Sequence, residues 1–186
     1  MIRPAGARPL ISKVRPTTMT IAARQALDDC REAVELLIDG VQGSEWRRRW
    51  VLAIVLLRAV GHVLDKVDGN QSPHSRSAID HWWAKLKQTR PEPSIFWEFI
   101  DEERNSILKQ YRSRAGQGVT VRVPTLCLNV KTGEQRSEPD PPLPPLYHYT
   151  LISGPFEGRD HRDVLREAIQ WWACQLDSID IMASEA

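Results

Sequence analysis

The chain has 186 residues, 41% of them hydrophobic and 26% charged, with a formal net charge of +1. That length can bury a sizeable core as one domain without disulfide or metal support. A charge so close to balance creates no global field for nucleic acid or an anionic membrane, so any such binding needs a local patch.

The first 17 residues carry Arg3, Arg8, Lys13 and Arg15, with no acid before Asp28. No apolar run follows this basic stretch as a secretory signal would require, and Pro4, Pro9 and Pro16 oppose an amphipathic transit helix. Residues 1–17 are expected to be a basic, disordered arm.

Thr18 or Thr20 can cap a first helix that runs to about Asp39, with Gly40 as its stop. Leu27, Cys30, Ala33, Val34, Leu37 and Ile38 recur at helical spacing. A second helix opens at Ser44 and reaches about Asp68, before Gly69-Asn70. Between Trp50 and Val60 it is apolar nearly all round, as the central helix of a bundle would be. Its apolar run from Val51 to Leu57 is too short to span a bilayer. The Arg47-Arg48-Arg49 run near its start is expected to be a solvated face.

A third helix covers about Ser75 to Gln88, with Ile79, Trp82, Trp83 and Leu86 as its stripe, and Arg90-Pro91-Glu92-Pro93 breaks it. A fourth runs from about Ser94 to Arg114, before the glycines of Ala115-Gly116-Gln117-Gly118. The hydrophobic period then changes to two: Val119, Val121 and Val123 alternate, Leu126 to Val130 is β-prone, and Lys131-Thr132-Gly133-Glu134 is a turn. Residues 138–145 hold five prolines in eight positions and predict an extended connector. Tyr147, Tyr149 and Leu151 alternate in a last strand. Asp160 can cap a final helix whose stripe is Leu165, Ile169, Trp172, Leu176 and Ile179.

The expected architecture is therefore mainly α. A bundle of about five helices carries a small antiparallel β element, at about 119–152, inserted before the last helix. Residues 18–186 form a single helical domain that includes this insert, because so small a ribbon needs a helical face to pack on.

Cys30, Cys127 and Cys174 are widely separated and form no CxxC. This argues against a disulfide framework and a thiolate metal site and suits a reducing cytoplasm. No cofactor-binding or metal-binding motif is present, so neither a cofactor nor a metal is expected. His62 and Asp65 share a helix face, but on so central a helix His62 is expected to be a satisfied core histidine. His74, His81, His148 and His161 lie near helix or strand ends, and the cluster Asp160-His161-Arg162-Asp163 suits a helix start for structural reasons. Trp82-Trp83 and Trp171-Trp172 are adjacent pairs, so core packing accounts for one of each. The other is expected to meet the β element or a second subunit, and Tyr147 and Tyr149 to cover the tryptophans.

The fourth helix carries the functional signal. Phe96, Phe99, Ile100, Ile107 and Tyr111 form one stripe, and Glu103 and Arg104 fall inside it. Charges on an apolar face are costly unless they are paired or line a groove. Two arrangements follow. Either the charges close an ion pair within the bundle, with Asp101 as a further partner for Arg104, or they line a cleft that faces a polar ligand.

Arg104-Asn105-Ser106-Ile107-Leu108-Lys109-Gln110-Tyr111 resembles the R-N-x-x-x-H-x-Y motif of HEPN-domain proteins. Those are helical bundles, usually dimeric; many are ribonucleases of toxin–antitoxin or phage-defence systems, and others are non-catalytic. The resemblance covers about residues 18–114 and the last helix. It implies Arg104, Asn105 and Tyr111 as candidate catalytic residues, and adds Lys109 to Glu103 and Arg104 of the stripe as candidate binding residues. It also implies a homodimer, with RNA or a protein as partner. The departure is Lys109, which stands where the family has histidine. An exposed lysine stays protonated and cannot serve as a base near neutral pH, though it can hold a phosphate. Lys109 also lies about 140° around the helix from Arg104. The expectation is a HEPN-like binding or scaffold protein whose nuclease chemistry is lost. The alternatives are a metal-independent ribonuclease with an altered site and an interaction module with no nucleic-acid role.

Overall fold

The computed structural model describes residues 18–120, 125–138 and 146–185. The expected basic arm, most of the proline connector and Val121 to Val123 lie outside the described residues. The elements in chain order are α1 (Ile21–Glu35), α2 (Gly43–Lys66), α3 (Pro73–Gln88), a π-helical stretch Ile95–Asp101 continuing into α4 (Glu102–Gln110), then β1 (Ala115–Thr120), β2 (Thr125–Leu128), β3 (Gln135–Glu138), β4 (Leu146–Leu151) and α5 (His161–Glu185). The chain is thus a mainly helical bundle of five helices with a small antiparallel β element before the last, as the periodicities predict.

α2 is the centre, as its apolar run implies: Trp50, Ala53, Ile54, Leu57, Val60 and Leu64 are all fully buried. α1 and α5 pack with it, and their buried stripes, Leu27 and Cys30 on one and Leu165, Trp172 and Leu176 on the other, join a single core. Burial pushes the Cys30 thiol up to about 12, so it is inert at neutral pH.

α1 ends at Glu35, four residues short of the expected Asp39. Leu37 still reaches the core (2% exposed), whereas Ile38 does not (58%), so a turn now delivers what the helical spacing credited to a helix. The α1 N-terminus is capped in trans. Thr20 makes no side-chain cap bond. Instead Asp68 accepts from the backbone N–H groups of Ala22 and Ala23 at 3.1 and 2.9 Å. Asp180 accepts from Met19 N at 2.9 Å, Thr20 N at 3.1 Å and Thr20 Oγ1 at 3.0 Å. Two buried carboxylates from distant chain positions thereby satisfy donors that would otherwise be orphaned and suit the positive end of the helix dipole.

Among the described residues the β element consists of two two-stranded antiparallel sheets, β1 with β4 and β2 with β3. β1 starts at Ala115, where the glycines predict a break. These glycines are strand residues that make room. A Cβ on Gly118 would come within 2.4 Å of His148 Nε2, and one on Gly116 within 2.5 Å of Ile152. Side chains at and just beyond β4 therefore lie across the glycine backbone.

The tryptophan pairs close on the bundle itself. Trp82 and Trp172 are buried, and Trp83 and Trp171 are half-buried. Trp83 and Trp171 meet Phe96, at ring-centroid distances of 5.8 and 5.2 Å, and not the β element. Tyr149 does cover a tryptophan, but it is Trp46 of α2, stacked at 3.8 Å and 3°.

His161 locks that corner. Its Nδ1 lies 2.8 Å from Tyr149 O and 3.4 Å from Asp160 Oδ1, so the proton goes to the shorter contact. Its Nε2 then accepts from Trp46 Nε1 at 3.4 Å. Burial holds the His161 imidazole below its ordinary 6.5, with the Tyr149 carbonyl and Asp160 opposing. A depressed histidine pKa means that the fold holds the neutral ring. Its stability is complete above about 6.5 and is lost as pH falls through 6.5 toward the folded value. Urea unfolding at pH 8 and pH 5 is expected to show wild type losing more stability on acidification than His161→Gln; equal losses would refute this.

Candidate functional site

Two pieces of structure position the motif residues. The first is the π stretch. Its wider i→i+5 turns bury Ile95, Phe96, Phe99 and Ile100 on one side, and α4 continues that side with Glu103 and Ile107. Glu103 thus lies on the buried side, and Arg104, about 100° further round, at its edge. The second is Tyr111, which stops α4 in the left-handed conformation (φ 54°, ψ 35°). Its N–H bonds to Ile107 O at 2.9 Å, Arg112 N reaches Ser106 O at 3.4 Å, and Ser106 Oγ returns to Arg112 O at 2.9 Å. The helix ends at Gln110, four residues before the expected Arg114, because these bonds satisfy its last carbonyls there.

Glu103 and Arg104 do not share a site, which corrects their expected juxtaposition in one stripe. Glu103 is fully buried and turns inward. It accepts from Trp50 Nε1 at 3.1 Å, Ser113 Oγ at 2.8 Å, Arg114 N at 3.1 Å and Arg114 Nε at 3.1 Å. Its ion-pair partner is Arg114, which also reaches the Glu98 carbonyl. The carboxylate ties the chain leaving α4 back onto α2, and its hydrogen-bonding capacity is spent inside the fold.

Arg104 turns outward and is half-buried. Its Nη1 donates to Asn105 Oδ1 at 2.8 Å, and Asn105 Nδ2 donates to Asp101 Oδ2 at 3.3 Å. Asp101 pairs directly with Arg58 of α2 at 3.4 Å, and so reaches Arg104 only through Asn105. Burial pulls the Arg58 guanidinium below its ordinary value; Asp101 opposes this, and Arg104 adds to it by repulsion. One carboxylate thus faces two guanidinium groups on the seam between α2 and α4, a local positive excess that the near-neutral composition hides.

His62 belongs to this seam and is exposed, not a satisfied core histidine. Partial burial lowers its pKa, and repulsion from Arg58 and Arg104 lowers it further, with Asp65 pulling the other way. Asp65 itself is held by Lys66 and Arg76, both at 2.9 Å. Lys109 is exposed, and the side-chain hydrogen bond that Arg104 makes goes to Asn105. Tyr111, two turns past Arg104, is 69% exposed and lies against Arg47, 5.8 Å from the guanidinium carbon to the ring centre. The structure thus brings Arg104 and Asn105 together with Arg58 and His62, and sets Tyr111 and Lys109 apart from them.

Arg58 and His62 as neighbours of the motif were not readable locally. They lie more than forty positions earlier in the chain, although their spacing of four on α2 marks them as one face.

Among the described residues, no group of three or more His, Cys, Asp or Glu side chains could hold a metal ion. No described helix is long and apolar enough to cross a membrane. No family model, curated protein or solved structure matches the chain.

Proposed function

We propose that the chain is a HEPN-like, non-catalytic binding protein of the cytoplasm that acts as a homodimer and holds an RNA partner, in a setting related to stress or phage defence. The observation that carries this reading is the Arg58–Asp101–Asn105–Arg104 chain. It presents two guanidinium groups at a half-exposed seam where the family motif falls. Arginine forks match phosphate oxygens in geometry and charge. Exposed apolar side chains flank the seam: Leu52 and Val55 on α2, 44% and 38% exposed, and Leu108 one turn past Arg104, 54% exposed. A second copy would cover them. Lys109 supplies charge but no proton transfer.

The test is fluorescence anisotropy with a labelled single-stranded RNA. Arg104→Ala is expected to weaken binding by about tenfold and to lower the salt slope by roughly 0.7. An unchanged affinity would favour an interaction module with no nucleic-acid role. Light scattering is expected to give a dimer; a monomer at micromolar concentration would contradict the dimeric part.

A second reading rests on His62. Its neutral imidazole in the field of Arg58 and Arg104 is what a ribonuclease with an altered site would use as its base, in place of Lys109. That reading requires metal-independent RNA cleavage that is lost in both His62→Ala and Arg104→Ala.

A further inference from the structure

A separate cleft of about 400 Å³ opens between the start of α2, the end of α4, β1 and β4. Arg47 and Arg112 line it, together with Tyr111 and the aromatic wall of Trp46, Trp50 and Tyr149, and none of the described residues that line it is a carboxylate. We propose that this cleft binds a small anion carried on a planar ring, an aryl phosphate or a nucleotide, with the anion between Arg47 and Arg112 and the ring beside Tyr111.

Three independent features lead there. First, neither guanidinium has a carboxylate partner among the described residues, whereas Arg24, Arg49, Arg76 and Arg162 each meet one. Two uncompensated arginines on one concave surface favour a bound anion and supply forks that match phosphate.

Second, Tyr111 is a bulky residue in a left-handed conformation that glycine or asparagine adopts at lower cost. Its ring is 69% exposed, so burial in the core does not repay that cost. The conformation closes α4, a task that glycine performs at lower cost; what tyrosine adds is a ring set at the cleft, under Arg47. A bulky side chain kept at such a position with no packing return is a mark of a binding role.

Third, the wall is rigid. Tyr149, Trp46 and Trp50 form a continuous stack, with 3.8 Å and 5.8 Å between successive ring centres. His161 bonds both Trp46 and Tyr149 from behind. A preformed aromatic wall with a few convergent polar groups, at this volume, is how small-molecule sites are built.

Arg47 precedes Arg58 by eleven positions on α2, roughly 16 Å along its axis. The cleft is therefore distinct from the Arg58–Arg104 seam, and its ligand does not depend on the RNA reading.

The experiment follows quenching of intrinsic tryptophan fluorescence, which Trp46 and Trp50 supply at the cleft, in titrations with phenyl phosphate, AMP, inorganic phosphate and phenol. Phenyl phosphate or AMP is expected to bind at least about tenfold more tightly than phosphate or phenol alone, the tighter of the two reporting the size of the ring. Arg47→Ala and Arg112→Ala are each expected to weaken binding by about tenfold or more. Tyr111→Gly is expected to weaken it as much while keeping or raising the melting temperature, a combination that a merely structural tyrosine would not give. Absence of saturable binding of both ring-bearing anions up to about 10 mM, or binding indifferent to both arginine substitutions, would overturn the proposal.

Discussion

Glu103→Ala is expected to destabilise the fold by about 3–5 kcal/mol. The carboxylate is fully buried and accepts hydrogen bonds from three residues, two side chains among its donors being Trp50 Nε1 and Arg114 Nε. Alanine would leave the indole N–H, the Ser113 hydroxyl and the Arg114 backbone N–H without their acceptor. It would also take from the mostly buried Arg114 guanidinium its closer and fully buried carboxylate, leaving it only the exposed Glu102 at 3.4 Å and the Glu98 carbonyl. Glu103→Gln keeps the shape and one acceptor oxygen, but it removes the charge and turns an amide donor toward Arg114 or Trp50. It is expected to recover less than half of the loss. Urea unfolding measures both variants, and a cost below about 1 kcal/mol for alanine would mean that Glu103 is not the tie described. The arrangement also bears on function. If Glu103 releases the segment after α4, Tyr111 and Arg112 lose their fixed positions, so the cleft should weaken along with the fold.

Trp172→Ala is expected to cost about 3–5 kcal/mol. The ring is fully buried and lies 4.9 Å from Trp171, 5.7 Å from Trp82 and 5.9 Å from Phe96, centre to centre. It also fills the space above Gly61, where an added Cβ would approach it to 3.0 Å. Removing it opens a cavity where α2, α3, α5 and the π stretch meet, which the large neighbouring rings cannot collapse to fill. Its Nε1 is buried without a hydrogen-bond partner. Trp172→Phe discards that unsatisfied donor while keeping a ring, so it is expected to cost only about 1 kcal/mol. Thermal or urea unfolding separates the two variants, and equal costs would show that ring volume is not what matters there.

Most of the helical layout was legible because it rests on local pattern. α2 through its apolar run, α3 through its stripe and the break at Arg90 to Pro93, and α5 through Leu165, Ile169, Trp172 and Leu176 all carry period-3.6 signals that survive into the fold. What failed was non-local. Nothing near Thr20 shows that Asp68 and Asp180 will cap α1. Nothing near Gly116 and Gly118 shows that His148 and Ile152 will lie across them, so a strand resembled a break. Tyr111 ends a helix without the glycine that usually marks such a stop. The candidate site was only partly legible. The 100° wheel places Phe96, Phe99, Ile100, Glu103 and Ile107 on the side that is buried, but consecutive residues point about 100° apart, so Glu103 goes inward while Arg104 stands at the edge of the stripe. The two residues that surround Arg104 in space, Arg58 and His62, come from a different helix.

The central claim is that the motif on α4 binds and does not cut. Its most direct test is incubation of the purified protein with total RNA in the presence of a metal chelator, alongside Arg104→Ala and His62→Ala. The account predicts intact RNA in all three reactions, retained by the wild type in a filter-binding measurement and retained less by Arg104→Ala. Cleavage by the wild type that disappears in both variants would contradict it and would make His62 the base of a working ribonuclease.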